Sequence, residues 1–248
     1  MSIILDRDHF KGWSVEDFIR NLQAYRNQFQ YGHHPIVDAI TTGELPKEAL
    51  KSFLIQWWWF GVVGAEQMFA NILGDMPIDA SLYPVKKKIA TNLYEEFFTP
   101  DIHPEINVDM IVKGCGIRRE DVYRGEILSE TSAFVAVVER YVSHGWKQGI
   151  MALMWSLESQ SPIQFERQSK GLREHYGFTD TRFPDIHVEA DMEHAGDSDD
   201  FCRLIVTPDN MMELWNAAAD SVAAIWNWHD AMYRRFMPEG RAKFKKAA

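Results

Sequence analysis

His187-Val188-Glu189-Ala190-Asp191-Met192-Glu193-His194 is the stretch on which the reading of this sequence turns. Neither glycine nor proline interrupts it, and on a helix advancing about 100° per residue the positions i, i+4 and i+7 fall on one side. His187, Asp191 and His194 therefore project together, two imidazoles and a carboxylate facing one point. A mixed nitrogen and oxygen set of this kind suits iron, manganese or zinc. The competing reading is an exposed polar helix that carries its histidines by chance, since Glu189 and Glu193 make the whole stretch polar.

Working outward, strand signals are scarce and apolar residues return at three- and four-residue intervals, which predicts an all-α protein. A first helix is expected from Val15, with Ser14 as its cap, to the Tyr31-Gly32-His33-His34-Pro35 interruption. A short helix and a Thr42-Gly43-Glu44-Leu45-Pro46 turn lead to a long helix over 47–73, and another is expected over 80–98, ending before Pro100. A loop carrying His103-Pro104 follows, then short helices over 107–113 and 119–123, and long ones over 126–143 and 146–176. The segment 180–195 is helical at least after Pro184, an acidic loop is expected over 196–200, and a last long helix over 208–236. Repeats, low-complexity tracts and composition breaks are lacking, so residues 1–248 read as a single helical domain, with a bundle over about 14–237 and a basic tail over 238–248.

Composition bounds the partners. The formal net charge of −10 argues against nucleic acid, because phosphate binding needs a concentration of Lys and Arg. The longest apolar stretch, 53–73, is broken by Gln56, Gly61, Gly64, Glu66, Gln67 and Asn71, so no membrane span is expected. Two cysteines, Cys115 and Cys202, lie far apart without Cys-x-x-Cys spacing, which disfavours a disulfide framework or thiolate metal site and favours a reducing cytoplasm. The N-terminal residues lack the apolar core of a signal peptide.

Two further clusters carry chemistry. In Asn92-Leu-Tyr-Glu95-Glu96-Phe-Phe-Thr-Pro-Asp-Ile-His103-Pro104, a carboxylate at a helix end and a histidine past a proline turn can bend toward one site, although glutamates near helix ends are usually solvated. In Trp155-Ser-Leu-Glu158-Ser-Gln-Ser-Pro162, Glu158 follows directly on the mostly apolar run 150–157. A buried carboxylate needs a cation, either a metal or an Arg or Lys of a neighbouring helix. Together the three regions supply three histidines and three carboxylates, close to the ligand set with which a helix bundle holds two metals.

The motifs Asn92-Leu-x-x-Glu96-x6-His103, Glu158-Ser-Gln-x-Pro162 followed by Lys170-Gly-Leu-Arg-Glu-His-Tyr-Gly-Phe178, and His187-x-Glu-Ala-Asp191-x-x-His194-Ala195 resemble the heme-oxygenase-like diiron oxidases. The likeness spans about residues 34–195 and is nearest to the para-aminobenzoate-forming branch. It implies a heme-oxygenase-like bundle of about seven helices, the fold shared with pyrroloquinoline-quinone synthase and thiaminase II, with the metal site at its centre. It implies Glu96, His103, Glu158, His187, Asp191 and His194 as ligands of two Fe ions, Mn/Fe being a variant that the same ligand types hold. Dioxygen and a small organic substrate are then the expected partners. Val37, Trp58 and Gln168 stand where that branch has two tyrosines and a lysine its reaction needs, so an external substrate is expected instead, amino acid-like or fatty acid-like.

Within the Trp57-Trp58-Trp59-Phe60 run only some rings can face inward, the alternative being plain core. Trp58 and His34 are the substrate-binding candidates, with His33 and Glu66 as further ones. Three other readings stay open: a metal-free oxidase of the pyrroloquinoline-quinone synthase type, a thiaminase, which would want a nucleophilic cysteine, and a protein-interaction module of the same fold. The sequence does not decide the oligomeric state, a homodimer included, or the need for an external electron donor.

Overall fold

The structure is a computed structural model that describes residues 7–98 and 103–237; the side chains at 62–63 and 189–197 also lie outside the description. Every regular element among the described residues is helical. In chain order they are α1 (Val15–Gln28), α2 (Pro35–Thr41), α3 (Lys47–Trp57), α4 (Ala65–Asp75), α5 (Tyr83–Phe97), α6 (His103–Cys115), α7 (Arg119–Tyr123), α8 (Ser129–His144), α9 (Trp146–Ile150), α10 (Ser161–Tyr176), α11 (Arg182–Ile205) and α12 (Met211–Phe236). The basic tail at 238–248 lies outside the described residues. None of the described helices is long and apolar enough to cross a membrane.

Local chemistry accounts for several boundaries. Ser14 opens α1 with a reciprocal cap: its Oγ accepts the Asp17 N–H at 3.1 Å, and Asp17 Oδ2 accepts the Ser14 N–H at 3.0 Å. His34 caps α2 by accepting the Ile36 N–H at Nδ1, with Pro35 supplying a first turn that needs no donor. Gly177, at φ 77°, ends α10 in the left-handed region that favours glycine.

Four expectations are corrected. The helix expected over 146–176 is broken: α9 passes into a π-helical segment, Met151–Trp155, then a 3-10 turn, Glu158–Gln160, before Pro162 starts α10. Proline lacks the N–H that would have carried one helix through, so its carbonyl partner must bond elsewhere. The acidic loop expected over 196–200 lies inside α11, which runs on to Ile205. His103 and Pro104 form the first turn of α6 rather than a loop, a position where proline costs nothing. The helix expected over 47–73 runs to Asp75, with a second π-helical segment, Trp58–Gly64, between α3 and α4.

Packing then fixes the site. α10 lies against both α2 and α11, α12 against α8 and the Met151–Trp155 segment, and α6 against α11. The α10–α2 contact is close enough that a Cβ on Gly171 would come within 2.3 Å of the Ile40 carbonyl oxygen. Between these layers the core is aromatic: Trp57 meets Phe60, Phe165 and Trp228 with ring centroids 5.6, 5.7 and 5.8 Å away. The end of α5 and the start of α6 are thereby brought against α11.

Candidate metal centre

Glu96 sits in the last turn of α5, His103 begins α6 and His187 lies in the second turn of α11. Their potential ligand atoms all fall within 4.8 Å of one another. His103 Nδ1 is 2.6 Å from Glu96 Oε2, His187 Nε2 is 3.7 Å from Glu96 Oε1, and the two imidazole centroids are 4.6 Å apart. Both histidines are buried, at 7% and 8% exposure.

Burial opposes ionisation of Glu96, but the positive charge of His187 and the hydrogen bond from His103 outweigh it and hold the carboxyl well below the usual carboxylate range. Glu96 is therefore an anion at neutral pH. His187 Nδ1 lies 2.7 Å from the carbonyl oxygen of Phe183 and donates to it, which fixes the ring with Nε2 directed at Glu96. Phe183 and Phe165 pack on the ring at 4.3 and 4.9 Å and restrict its rotation.

The cluster opens on a cavity of about 70 Å³. Glu96, His187, Glu158 and Tyr31 are its titratable lining groups; most of the remaining wall is apolar, including Trp57, Phe60, Met68, Phe69, Leu153 and Phe165. Both π-helical segments abut it. Phe60 and Gly61 come from one, Leu153 from the other, and the widened turns place Glu158, just beyond the second, on the wall.

Of the six ligand candidates, Glu96, His103 and His187 meet directly and Glu158 shares their cavity. Asp191 and His194 occupy α11 at helical spacing from His187, and their side chains lie outside the described residues. His34 and Trp58 do not line the cavity. His34 is fully buried, bonded to Ile36 N and 3.1 Å from Asp230, while Trp58 packs on Trp59 and Tyr123. His33 and Glu66 are likewise absent from the wall, and Trp57 and Phe60 are the members of the aromatic run that face inward. Tyr31, Phe165 and Phe183 were not singled out from sequence, because nothing in a local pattern distinguishes an aromatic that lines a cavity from one that fills the core.

The donor set fits iron: nitrogen and carboxylate ligands, two buried histidines with one tautomer fixed by a carbonyl, and an apolar cavity beside them. This is a helical bundle organised around a buried histidine and carboxylate cluster. The profile of the family described as iron-containing redox enzymes matches residues 51–226, and the chain belongs to that family.

Solved structures agree on the fold. A TenA homologue from Pseudomonas syringae pv. tomato superposes with a TM-score of 0.74 at 12% identity, covering 94% of this chain and 98% of that one. A CADD-like protein of unknown function from Nostoc punctiforme gives 0.71 at 15% identity, covering 90% and 99%. A domain of unknown function with a heme oxygenase-like fold from Shewanella denitrificans gives 0.68 at 14% identity, covering 91% and 94%. The expected heme-oxygenase-like, all-α architecture is thus the one observed. The curated proteins contain no match.

Proposed function

We propose that this protein is a non-haem diiron oxidase or oxygenase that activates dioxygen to oxidise or cleave a small organic substrate. The observation that carries this reading is the convergence of Glu96, His103 and His187 within 4.8 Å beside a cavity that also holds Glu158. Glu96, His103, Glu158 and His187, with Asp191 and His194 of α11, are the residues that would hold the two Fe ions, or Mn and Fe. Bound iron would supply the electrons that reduce dioxygen and the oxidising power directed at a C–H bond or amine of the substrate.

The protein's own part is geometric and electrostatic. Glu96 offers an anionic oxygen to balance cationic charge, and His187 offers Nε2 because Phe183 engages Nδ1. His103, with Nδ1 against Glu96, keeps Nε2 for ligation. The apolar wall of Trp57, Phe60, Phe69 and Phe165 keeps bulk water from the reacting atoms. An external electron donor would return the centre to its ferrous state.

A thiaminase-type reading wants a nucleophilic thiol in the cavity. Neither Cys115 nor Cys202 lines it, and burial pushes the Cys115 thiol up to about 11 and the Cys202 thiol higher still. A metal-free oxidase of the pyrroloquinoline-quinone synthase type would use Glu96 and Glu158 as acid and base groups, and an interaction module would leave the cluster without a role. Anaerobic loading with ferrous iron followed by metal analysis and oxygen uptake tests the proposal. Two iron atoms per chain and uptake on exposure to oxygen are expected; an iron-supplemented protein that binds no metal would falsify it.

A further inference from the structure

Glu158 reaches the cavity from a place where a helix is interrupted, and such a break releases backbone carbonyls that need donors. The motif Ser156-Leu157-Glu158-Ser159-Gln160-Ser161 supplies most of them locally. Ser156 Oγ donates to the Met151 carbonyl at 2.6 Å, Ser159 Oγ to Trp155, Gln160 Nε2 to Ser156 at 2.6 Å and Ser161 Oγ to Glu158 at 2.6 Å. The Leu157 carbonyl, next to Glu158, receives its side-chain donor from elsewhere: the Tyr31 hydroxyl, 2.7 Å away and 126 positions distant in sequence.

Tyr31 is itself held firmly. Its ring is 1% exposed, stacks on the imidazole of His229 with centroids 5.2 Å apart at 19°, and forms part of the same cavity wall as Glu158. His229 in turn bonds the Ile225 carbonyl in its own helix at 2.8 Å. A strut therefore runs from α12 through Tyr31 to the peptide that carries Glu158.

We infer that Tyr31 is a positioning residue for Glu158, its hydroxyl holding the helix break so that the carboxylate is aimed into the metal cavity; this rests on the reading of Glu158 as a metal ligand. Removing the hydroxyl leaves the Leu157 carbonyl with its bond from the Gln160 N–H at 3.1 Å, so the fold persists while the break gains freedom. Tyr176 provides the comparison. It is also buried and donates to a carbonyl, that of Leu45 at 2.8 Å, but it does not line the cavity.

The test is an anaerobic titration of the full chain with ferrous iron, and separately with cobalt(II) followed by its ligand-field absorption, for wild type, Tyr31→Phe, Tyr176→Phe and Glu158→Gln. Tyr31→Phe is expected to retain wild-type circular dichroism, to weaken one metal equivalent by about 10- to 100-fold and to shift the cobalt bands. Tyr176→Phe is expected to lower the melting temperature without changing either titration. A Tyr31→Phe protein that titrates like wild type, or a Tyr176→Phe protein that weakens metal equally, overturns the inference while leaving the metal centre intact. Wild type that takes up no iron, or Glu158→Gln that binds like wild type, overturns the reading on which it rests.

Discussion

His103 Nδ1 stands 2.6 Å from Glu96 Oε2 although seven positions separate the two residues and they belong to different helices. The contact makes one unit of two candidate ligands. Replacing Glu96 with Gln removes the anion that balances the metal charge and weakens the charge-assisted bond that orients His103, so loss of most bound iron is expected; His187→Ala should do the same. Metal content per chain after ferrous loading and desalting measures both, and retention of two irons in either variant would count against the site.

If the chemistry belongs to the metal cluster rather than to a thiol, the double substitution Cys115→Ser with Cys202→Ala should leave iron-dependent oxygen uptake within about twofold of wild type, since neither cysteine lines the cavity. An oxygen electrode reads the outcome. Abolished uptake with iron content unchanged would place a cysteine in the reaction.

His229 gives the fold an acid-sensitive element. It is completely buried; burial and the neighbouring His34 hold its imidazole well below 6.5, against the opposing bond to the Ile225 carbonyl. In the unfolded chain it titrates near 6.5, so below that pH the unfolded state takes up a proton that the fold refuses, and stability falls as pH falls. Above it both states are neutral and the group contributes nothing. The expected slope reaches about 1.4 kcal/mol per pH unit below pH 6, and His229→Gln should lack it. Urea denaturation of both proteins between pH 8 and pH 5 makes the comparison.

Gln56 cross-links three elements: its Nε2 donates to the Glu126 carbonyl at 2.8 Å, and its Oε1 accepts from Leu128 N at 2.9 Å and Thr131 Oγ at 2.7 Å. Gln56→Leu fills a similar volume but strands these buried partners, at a cost of about 1–3 kcal/mol. The denaturation midpoint should drop accordingly; an unchanged midpoint would mean that the partners find other bonds.

Gly171 allows α10 to pass against α2. The Cβ of an alanine would lie 2.3 Å from the Ile40 carbonyl oxygen, a backbone atom that cannot swing aside, so Gly171→Ala should destabilise by about 1–3 kcal/mol despite alanine's better helix propensity. Thermal melting is the direct measurement, and a raised melting temperature would show the helix pair to be freer than its packing indicates.

Much of this protein was determined by sequence alone. Apolar spacing is a local property, and it was enough for an all-helical chain, for Ser14 as the first cap and for most helix limits. Ligand-type residues are equally visible: His187, Asp191 and His194 through helical spacing, Glu96 and His103 beside a helix end, and Glu158 directly after an apolar run, with the family resemblance implying the set of six. Where periodicity weakens, the reading failed. An acidic run inside α11 looks like a loop because solvated charges say nothing about backbone hydrogen bonds, and the two π-helical segments differ from α-helix by a single register step that side-chain type does not record.

Only the tertiary structure decided which residues face the cavity. His34 and Trp58 were as eligible as Tyr31 and Trp57 by residue type, yet the first pair is turned into other contacts and the second lines the wall. The reason is physical: the direction of a buried side chain depends on how distant helices pack and on where a break changes the register. The bond from Tyr31 to the Leu157 carbonyl spans 126 positions, and His187 of α11 meets Glu96 of α5 across distant sequence; both exist only in the packed chain.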